Sequence, residues 1–167
     1  KSWRRRFFNK TPRFSNIKRE TQNHVIMIKI LVVDDEPDLE TLIRQKFRQK
    51  IREGEYEFFF AENGVSALRK ISEHTSIDIV LSDINMPEMD GLTLLGKLNE
   101  QWPLVKSVIV SAYGDMDNIR TAMNKGAFDF ITKPINFEDL SLTVEKTIRQ
   151  VNHIKDTLRA VQENNIL

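Results

Sequence analysis

From Ile28 onward, short apolar runs alternate with stretches of helical period. The runs, at residues 28–33, 56–60, 77–82, 107–111 and 128–132, are rich in Val, Ile and Phe, side chains that suit a buried strand. Their starts lie 28, 21, 30 and 21 residues apart, which leaves room for one helix after each strand. The first helix is expected after Asp35, with Pro37 near its N-terminus, where a missing N–H does no harm. Its apolar residues Leu39, Leu42, Ile43, Phe47 and Ile51 fall on one stripe. A second helix, at 63–72, should bury Val65, Leu68 and Ile71, and a third carries Leu92, Leu95 and Leu98 and ends before Pro103. The fourth, at 116–125, should turn Ile119 and Met123 inward and stop at Gly126, a left-handed C-cap. The last starts near Asn136, whose side chain can cap it with Asp139 three residues on.

Continuous apolar strands joined by helices imply an α/β fold: a doubly wound, five-stranded parallel sheet with helices on both faces and right-handed crossovers. In such a sheet ligands sit at the carboxyl ends of the strands. There the sequence puts Asp34 and Asp35 after the first strand, Asp83 after the third, Ser111 at the end of the fourth, and Lys133 then Pro134 after the fifth. Asp is a common turn and cap residue, so a pair of aspartates alone says little. The whole set converging on one crevice says more. Three carboxylates held together repel, so without a counter-ion at least one should have a raised pKa. A hard divalent cation removes that conflict, and an oxygen-only, water-retaining site suits Mg²⁺. Such a cation draws in phosphoryl oxygens. Lys133 and the Ser111 hydroxyl would then help to neutralise spreading negative charge, and an Asp carboxylate can itself be the nucleophile.

Composition narrows the alternatives. With 40% hydrophobic and 29% charged residues in 167, the chain reads as globular, about one domain with something left over. No apolar run approaches the ~20 residues of a membrane span. The absence of cysteine removes disulfides, thiolate metal sites, iron–sulfur clusters and cysteine nucleophiles together. His24, His74 and His153 are too far apart for a two-histidine zinc motif.

The net charge of +1 is unevenly distributed. Residues 1–27 hold eight Lys or Arg against Glu20, a net of +7 that leaves −6 for the rest. This basic, aromatic-containing stretch has no strand or helix period and reads as a flexible N-terminal arm. Three meanings are open: contact with an anionic membrane surface or nucleic acid, a targeting peptide, or an extension upstream of the functional domain. The expectation is the last, because Met27 stands immediately before the first strand.

The segments ILVVDDEP (30–37), IVLSDINMPEMDGL (79–92), VIVSAYG (108–114) and FDFITKP (128–134) resemble, in order, the receiver domain of two-component response regulators. The resemblance covers roughly residues 28–150 and implies a flavodoxin-like strand order 2-1-3-4-5. It makes Asp83 the phosphoacceptor for a phosphoryl group from a sensor histidine kinase or phosphotransfer protein. Asp35 would bind Mg²⁺ directly and Asp34 through water, with Asp83 and the backbone carbonyl of Asn85 as further ligands. Lys133 would pair with the acceptor and then with the phosphoryl group. Ser111 matches the switch hydroxyl and Phe130 the switch aromatic. Pro87 and Gly91 resemble turn residues behind the acceptor, and the Lys133–Pro134 bond matches one that is cis in the family. Tyr113, two residues past Ser111, is expected to hinder the water that removes the phosphoryl group.

The C-terminal helix outruns what a receiver needs, continuing without Gly or Pro to Leu167. Set in heptads, Val144, Val151, Leu158 and Asn165 take a, while Leu140, Thr147, Ile154 and Val161 take d. Residues 151–167 are therefore expected as a coiled-coil signalling linker, making a homodimer and leading to an output domain absent from this chain. The alternative is one amphipathic helix packed on its own domain. Similar receivers are fused to nucleotide or diguanylate cyclases, serine/threonine phosphatases or kinases. No helix-turn-helix signature is present, so direct DNA binding is not expected. The resemblance also implies a cytoplasmic protein that is a signalling module rather than an enzyme. A Mg²⁺-dependent phosphatase with an Asp nucleophile is disfavoured by Asn85, where that class has an acid/base Asp. A flavin-binding protein is disfavoured by two carboxylates where a phosphate loop should be. The −6 of the body opposes a nucleic-acid binder.

Overall fold

The structure, a computed structural model, describes residues 26–74 and 76–165. The basic arm read at residues 1–27 lies outside them except for Ile26 and Met27, as do the last two residues of the helical extension. In chain order the elements are β1 (Ile28–Val33), α1 (Asp38–Lys46), α2 (Arg48–Arg52), β2 (Tyr56–Ala61), α3 (Gly64–Glu73), β3 (Ile79–Asp83), α4 (Gly91–Gln101), β4 (Lys106–Ala112), α5 (Met116–Asn124), β5 (Asp129–Lys133) and α6 (Phe137–Asn165). The strands form one parallel sheet in the order β2-β1-β3-β4-β5.

Both faces of the sheet are covered. On one, α1, the Phe47 junction that follows it and α6 bury Ile43, Phe47, Leu140, Val144 and Val151 against Ile30, Val32, Ile79, Leu81 and Val108. On the other, α3 and α4 bury Ala67, Ile71, Leu94 and Leu98 against Leu31, Val33 and Val80, and α5 closes the edge with Ala122 beside Ile109. Burying each large aliphatic side chain is worth about 1.5–3 kcal/mol, so this two-sided core is what holds the strand ends in place.

Several elements differ from the sequence reading. The first helix breaks in two at Phe47 (φ −98°, ψ 15°), where the ring lies 5.9 Å from Tyr56 and 5.4 Å from Phe58 in an aromatic cluster with β2. Val65 and Met123, expected inside, are 39% and 38% exposed. Gly64, Ala67 and Ile71 occupy the inward stripe of α3, and Ile119 with Ala122 that of α5. β3 begins at Ile79 rather than residue 77, and it ends on Asp83. β5 likewise runs one residue further than expected, to Lys133. The acceptor candidate and its lysine are thus the terminal residues of their strands, fixed by the sheet ladder.

Local chemistry explains the helix starts that matter here. Asn63 caps α3 in a reciprocal box with Ser66. The Asp90 side chain accepts from Thr93 N to cap α4. The first turn of α1 is acidic (Asp38, Glu40) and its last turn basic (Arg44, Lys46), which matches the helix dipole.

α6 divides the heptad seam. Leu140, Val144, Thr147 and Val151 are buried on their own domain, as the single-helix alternative requires. Thr147, polar at a d position, is satisfied within the helix by donating to Thr143 O at 2.6 Å. Leu158 and Val161, further along, are 45% and 51% exposed. Among the described residues no helix is long and apolar enough to cross a membrane.

Candidate functional site

The parallel ladder brings the carboxyl ends of β1, β3, β4 and β5 to one edge, and with them the predicted residues. Asp83, at the end of β3, is 8% exposed. Asp34 follows β1 directly, its backbone N held by Ala61 O and its Oδ1 accepting from Glu36 N at 2.8 Å. Asp35 is exposed beside it. One carboxylate oxygen from each of Asp34, Asp35 and Asp83 lies within 4.8 Å of the others.

Lys133 reaches into this cluster from β5. Its Nζ lies 2.9 Å from Asp83 Oδ2, 3.0 Å from Asp34 Oδ2 and 3.3 Å from Glu36 Oε1. Burial pushes the Asp83 carboxyl above the ordinary range, and the Lys133 ammonium recovers only part of that shift. For Lys133, burial acts downward, but the hydrogen bond to Asp83 and the negative charges of Asp34 and Asp83 outweigh it and the net direction is up. One cation therefore faces three carboxylates, with Asp35 beside them, and a surplus of negative charge remains.

That surplus bears on whether a divalent cation fits. The Asp34 side chain is 3% exposed and its Oδ2, although close to Lys133 Nζ, has no hydrogen bond of good geometry. A buried carboxylate oxygen without a proper partner is costly. Three convergent oxygen donors and that orphaned atom fit a hard, oxygen-seeking ion such as Mg²⁺.

The remaining predicted residues lie on these strands, on the segments that follow them and at the start of α4. Asn85 donates its backbone N–H to Asp83 Oδ1 at 3.3 Å. Gly91 N donates to Ile84 O at 2.8 Å, and a Cβ on Gly91 would overlap the backbone carbonyl of Asp83. Only glycine lets α4 start this close to the acceptor's backbone. The Lys133–Pro134 bond is cis. Ser111 is 1% exposed, and its hydroxyl donates to Asp115 Oδ2 at 3.3 Å. Phe130 is 37% exposed and Tyr113 is 87% exposed. His74 packs against Phe59 in a tilted pair, centroids 4.5 Å apart, and His153 is exposed, both outside the site.

Two neighbours escaped the sequence reading. Glu36 is the third carboxylate on Lys133, and its one signal was its place directly after the Asp34–Asp35 pair. Asp115 holds the Ser111 hydroxyl and accepts from Asn118 at 2.9 Å; its signal was a cap-type residue before α5.

Fold and site together define a flavodoxin-like α/β domain with an acidic, cation-ready pocket at a strand-end crevice. Within that class the chain belongs to the response regulator receiver domain family, whose profile matches residues 30–145. It is 36% identical over 124 residues to the chemotaxis protein CheY of Listeria monocytogenes, a span of 74% of this chain and 100% of that protein. It is 35% identical over 121 residues to the transcriptional regulatory protein ZraR of Klebsiella oxytoca, of whose length the chain spans only 26%. Among solved structures, a response regulator receiver domain protein from Clostridium thermocellum superposes with a TM-score of 0.69 at 30% identity, covering 76% of this chain and 98% of that one. NtrX from Brucella abortus gives 0.70 at 30% identity, covering 79% of this chain and 29% of that one. Membership supports phosphoacceptor signalling as the general activity.

Proposed function

We propose that this chain accepts a phosphoryl group on Asp83 from the phosphohistidine of a sensor histidine kinase or phosphotransfer protein, in a Mg²⁺-dependent reaction. The observation that carries the reading is Lys133 Nζ, 2.9 Å from Asp83 and 3.0 Å from Asp34, inside a cluster whose negative charge one lysine cannot balance. Asp34, Asp35, Asp83 and the backbone carbonyl of Asn85 would hold Mg²⁺, which when bound offsets the charge of the carboxylates and of the incoming phosphoryl oxygens.

An Asp83 carboxylate oxygen attacks phosphorus, a P–O bond forms, the P–N bond to the donor imidazole breaks, and the imidazole nitrogen keeps the electron pair and takes up a proton. Lys133 holds the carboxylate in line and then pairs with the transferred group, since such transfers depend on positioning and charge neutralisation. The Asn85 N–H, already directed at Asp83 Oδ1, helps to fix the carboxylate's orientation. Ser111 would exchange Asp115 for a phosphoryl oxygen, and Phe130 would turn inward. Their present positions, with the hydroxyl on Asp115 and the ring exposed, are what the resting half of such a switch requires.

The product is a cytoplasmic signalling state, not a turnover reaction, and it controls an attached or partner output. Cyclase, phosphatase and kinase outputs remain candidates; the longer relatives include a protein named as a transcriptional regulator, which adds a DNA-acting output to them. Intact-mass spectrometry after incubation with Mg²⁺ and acetyl phosphate tests the chemistry. One base-labile phosphoryl adduct is expected, absent without Mg²⁺ and in Asp83→Asn. An adduct that survives that substitution refutes the assignment, and continuous phosphate release with rapid turnover would favour a phosphatase.

A further inference from the structure

The turn that follows Asp83 is held in a conformation its own residues do not favour. Met89 N donates to Pro87 O at 2.7 Å, which closes a three-residue turn centred on Glu88, and Glu88 has φ +65°. A turn of this size with positive φ is rare and strained, and the left-handed region suits glycine better than a residue with a long side chain. Glu88 is exposed, so burial of its own side chain does not compensate. Strain of this kind persists only where the surroundings enforce it, and it gathers at functional sites.

Two helices enforce it from opposite sides. At the start of α4, Gly91 N donates to Ile84 O, and the Asp83 carbonyl leaves no room for a Cβ on Gly91. At the start of α3, Gly64 N donates to Met89 O at 3.2 Å. A Cβ on Gly64 would lie 2.6 Å from Met89 Cγ, 2.7 Å from its Sδ and 2.9 Å from its Cβ, so the Met89 side chain rests directly on the bare face of that glycine. Met89 also packs against the core cluster that holds Leu31, Val33, Ala67 and Leu94. Gly64 is fixed in turn by the Asn63–Ser66 box. Between these anchors runs the segment 85–88, and Asn85 carries the backbone carbonyl proposed above as a Mg²⁺ ligand.

We propose that Met89 is a positioning residue: seated on Gly64, it holds the strained turn at Glu88 and thereby aims the Asn85 carbonyl at the metal site. The inference rests on the Mg²⁺ site proposed above and adds to it a support from α3, an element that contributes no ligand. The strain has a use. In a relaxed turn the Asn85 carbonyl would be ordered only when the ion binds, at a cost in affinity, whereas a turn imposed by folding presents the carbonyl in advance. Groups that orient a metal ligand typically cost about 10–100-fold in metal affinity when removed.

An NMR titration of the backbone amides with Mg²⁺, in the absence of any phosphodonor, is the test, at a temperature where circular dichroism shows every variant folded. The wild type should bind, with the amides of segment 85–88 among those that shift. Met89→Ala should weaken binding about tenfold, and Met89→Leu, which refills the same space, should stay within about threefold of the wild type. Gly64→Ala, which displaces Met89 from the side of α3, should weaken binding severalfold. Glu88→Gly placed in the Met89→Ala chain should recover most of the lost affinity, because glycine takes the left-handed conformation without enforcement. Removing the Glu88 charge acts against cation binding, so that recovery cannot be electrostatic. A merely structural Met89 would lower Tm in Met89→Ala and leave the affinity of the folded chain unchanged, which would overturn the proposal, as would failure of Glu88→Gly to restore binding. A wild type that binds no Mg²⁺ would overturn the metal site as well; a wild type that binds beside a Met89→Ala chain that binds equally well overturns the role of Met89 alone.

Discussion

The two ends of β3 each carry an aspartate beside a lysine, and they differ in one respect. Asp78, just before the strand, has both carboxylate oxygens engaged, Oδ1 by Lys155 and Oδ2 by a backbone N–H. Asp83, at the far end, shares its lysine with Asp34 and Glu36 and stands within reach of Asp35. The first is a closed account of charge and hydrogen bonds. The second is left in surplus, and a surplus that the chain does not settle internally is an invitation to a ligand. A buried ion pair is therefore informative about function only when its partners fail to balance.

That contrast can be broken in measurable ways. The largest effect is expected at the acidic end: Gly91→Ala puts a methyl into the Asp83 carbonyl and should cost ~3 kcal/mol, near the upper end for overpacking, along with adduct formation. A chain that labels normally with an unchanged melting temperature would contradict the close approach of α4. Next, Asp78→Ala should lower stability by ~2 kcal/mol, or about 4–8 °C in Tm, by orphaning Lys155 and Lys29 N. It should leave phosphoryl labelling at Asp83 intact, and loss of labelling would mean that the two ends are not separable.

Asp83→Asn should do the reverse, raising the Tm of the metal-free chain by about 2–4 °C, equivalent to ~1 kcal/mol. The sign follows from the upward shift of Asp83. A carboxyl whose folded pKa lies above its unfolded value favours the folded state below the unfolded pKa. That advantage disappears as pH rises through the folded pKa. The wild type should lose this increment across that window, the variant should not, and Mg²⁺ should stabilise the wild type alone. Equal Tm–pH profiles in the two proteins would remove the charge-surplus argument. The smallest effect is expected at Tyr113: its 87% exposure leaves it little to shield, so Tyr113→Ala should speed phosphoryl loss only about threefold, ~0.6 kcal/mol. An unchanged decay rate would remove Tyr113 from the site.

Much of the site was legible because it rests on the sheet. Strand runs are recognisable by composition, and residues at their carboxyl ends must meet, so the sequence alone places Asp34, Asp83, Ser111 and Lys133 together. Glu36 and Asp115 cannot be placed so, since their roles depend on side-chain rotamers that no periodicity encodes. The misplaced Val65 and Met123 share one cause. The centres of their helix stripes are Gly64, Ala67 and Ala122, small residues that carry little hydrophobic signal, so the larger neighbours at the stripe edge dominate the pattern. α6 was ambiguous for a deeper reason: a helix facing its own sheet and a helix facing a partner need the same apolar stripe, and this one does the first above Val151 and leaves the second open below it.

The attachment of α6 also sets what it can transmit. The helix starts four residues after Lys133 and is pinned to Asp78 at Lys155, so it is a lever with a fulcrum, its arms about 27 and 15 Å by the helical rise. A tilt of 1 Å at the acidic end would emerge at Asn165 reversed and reduced to about half, by the ratio of those arms. Rotation about the helix axis suffers no such loss. Of the two motions a switch at Ser111 could impose on this rod, a twist is the one that would reach its tip at full amplitude.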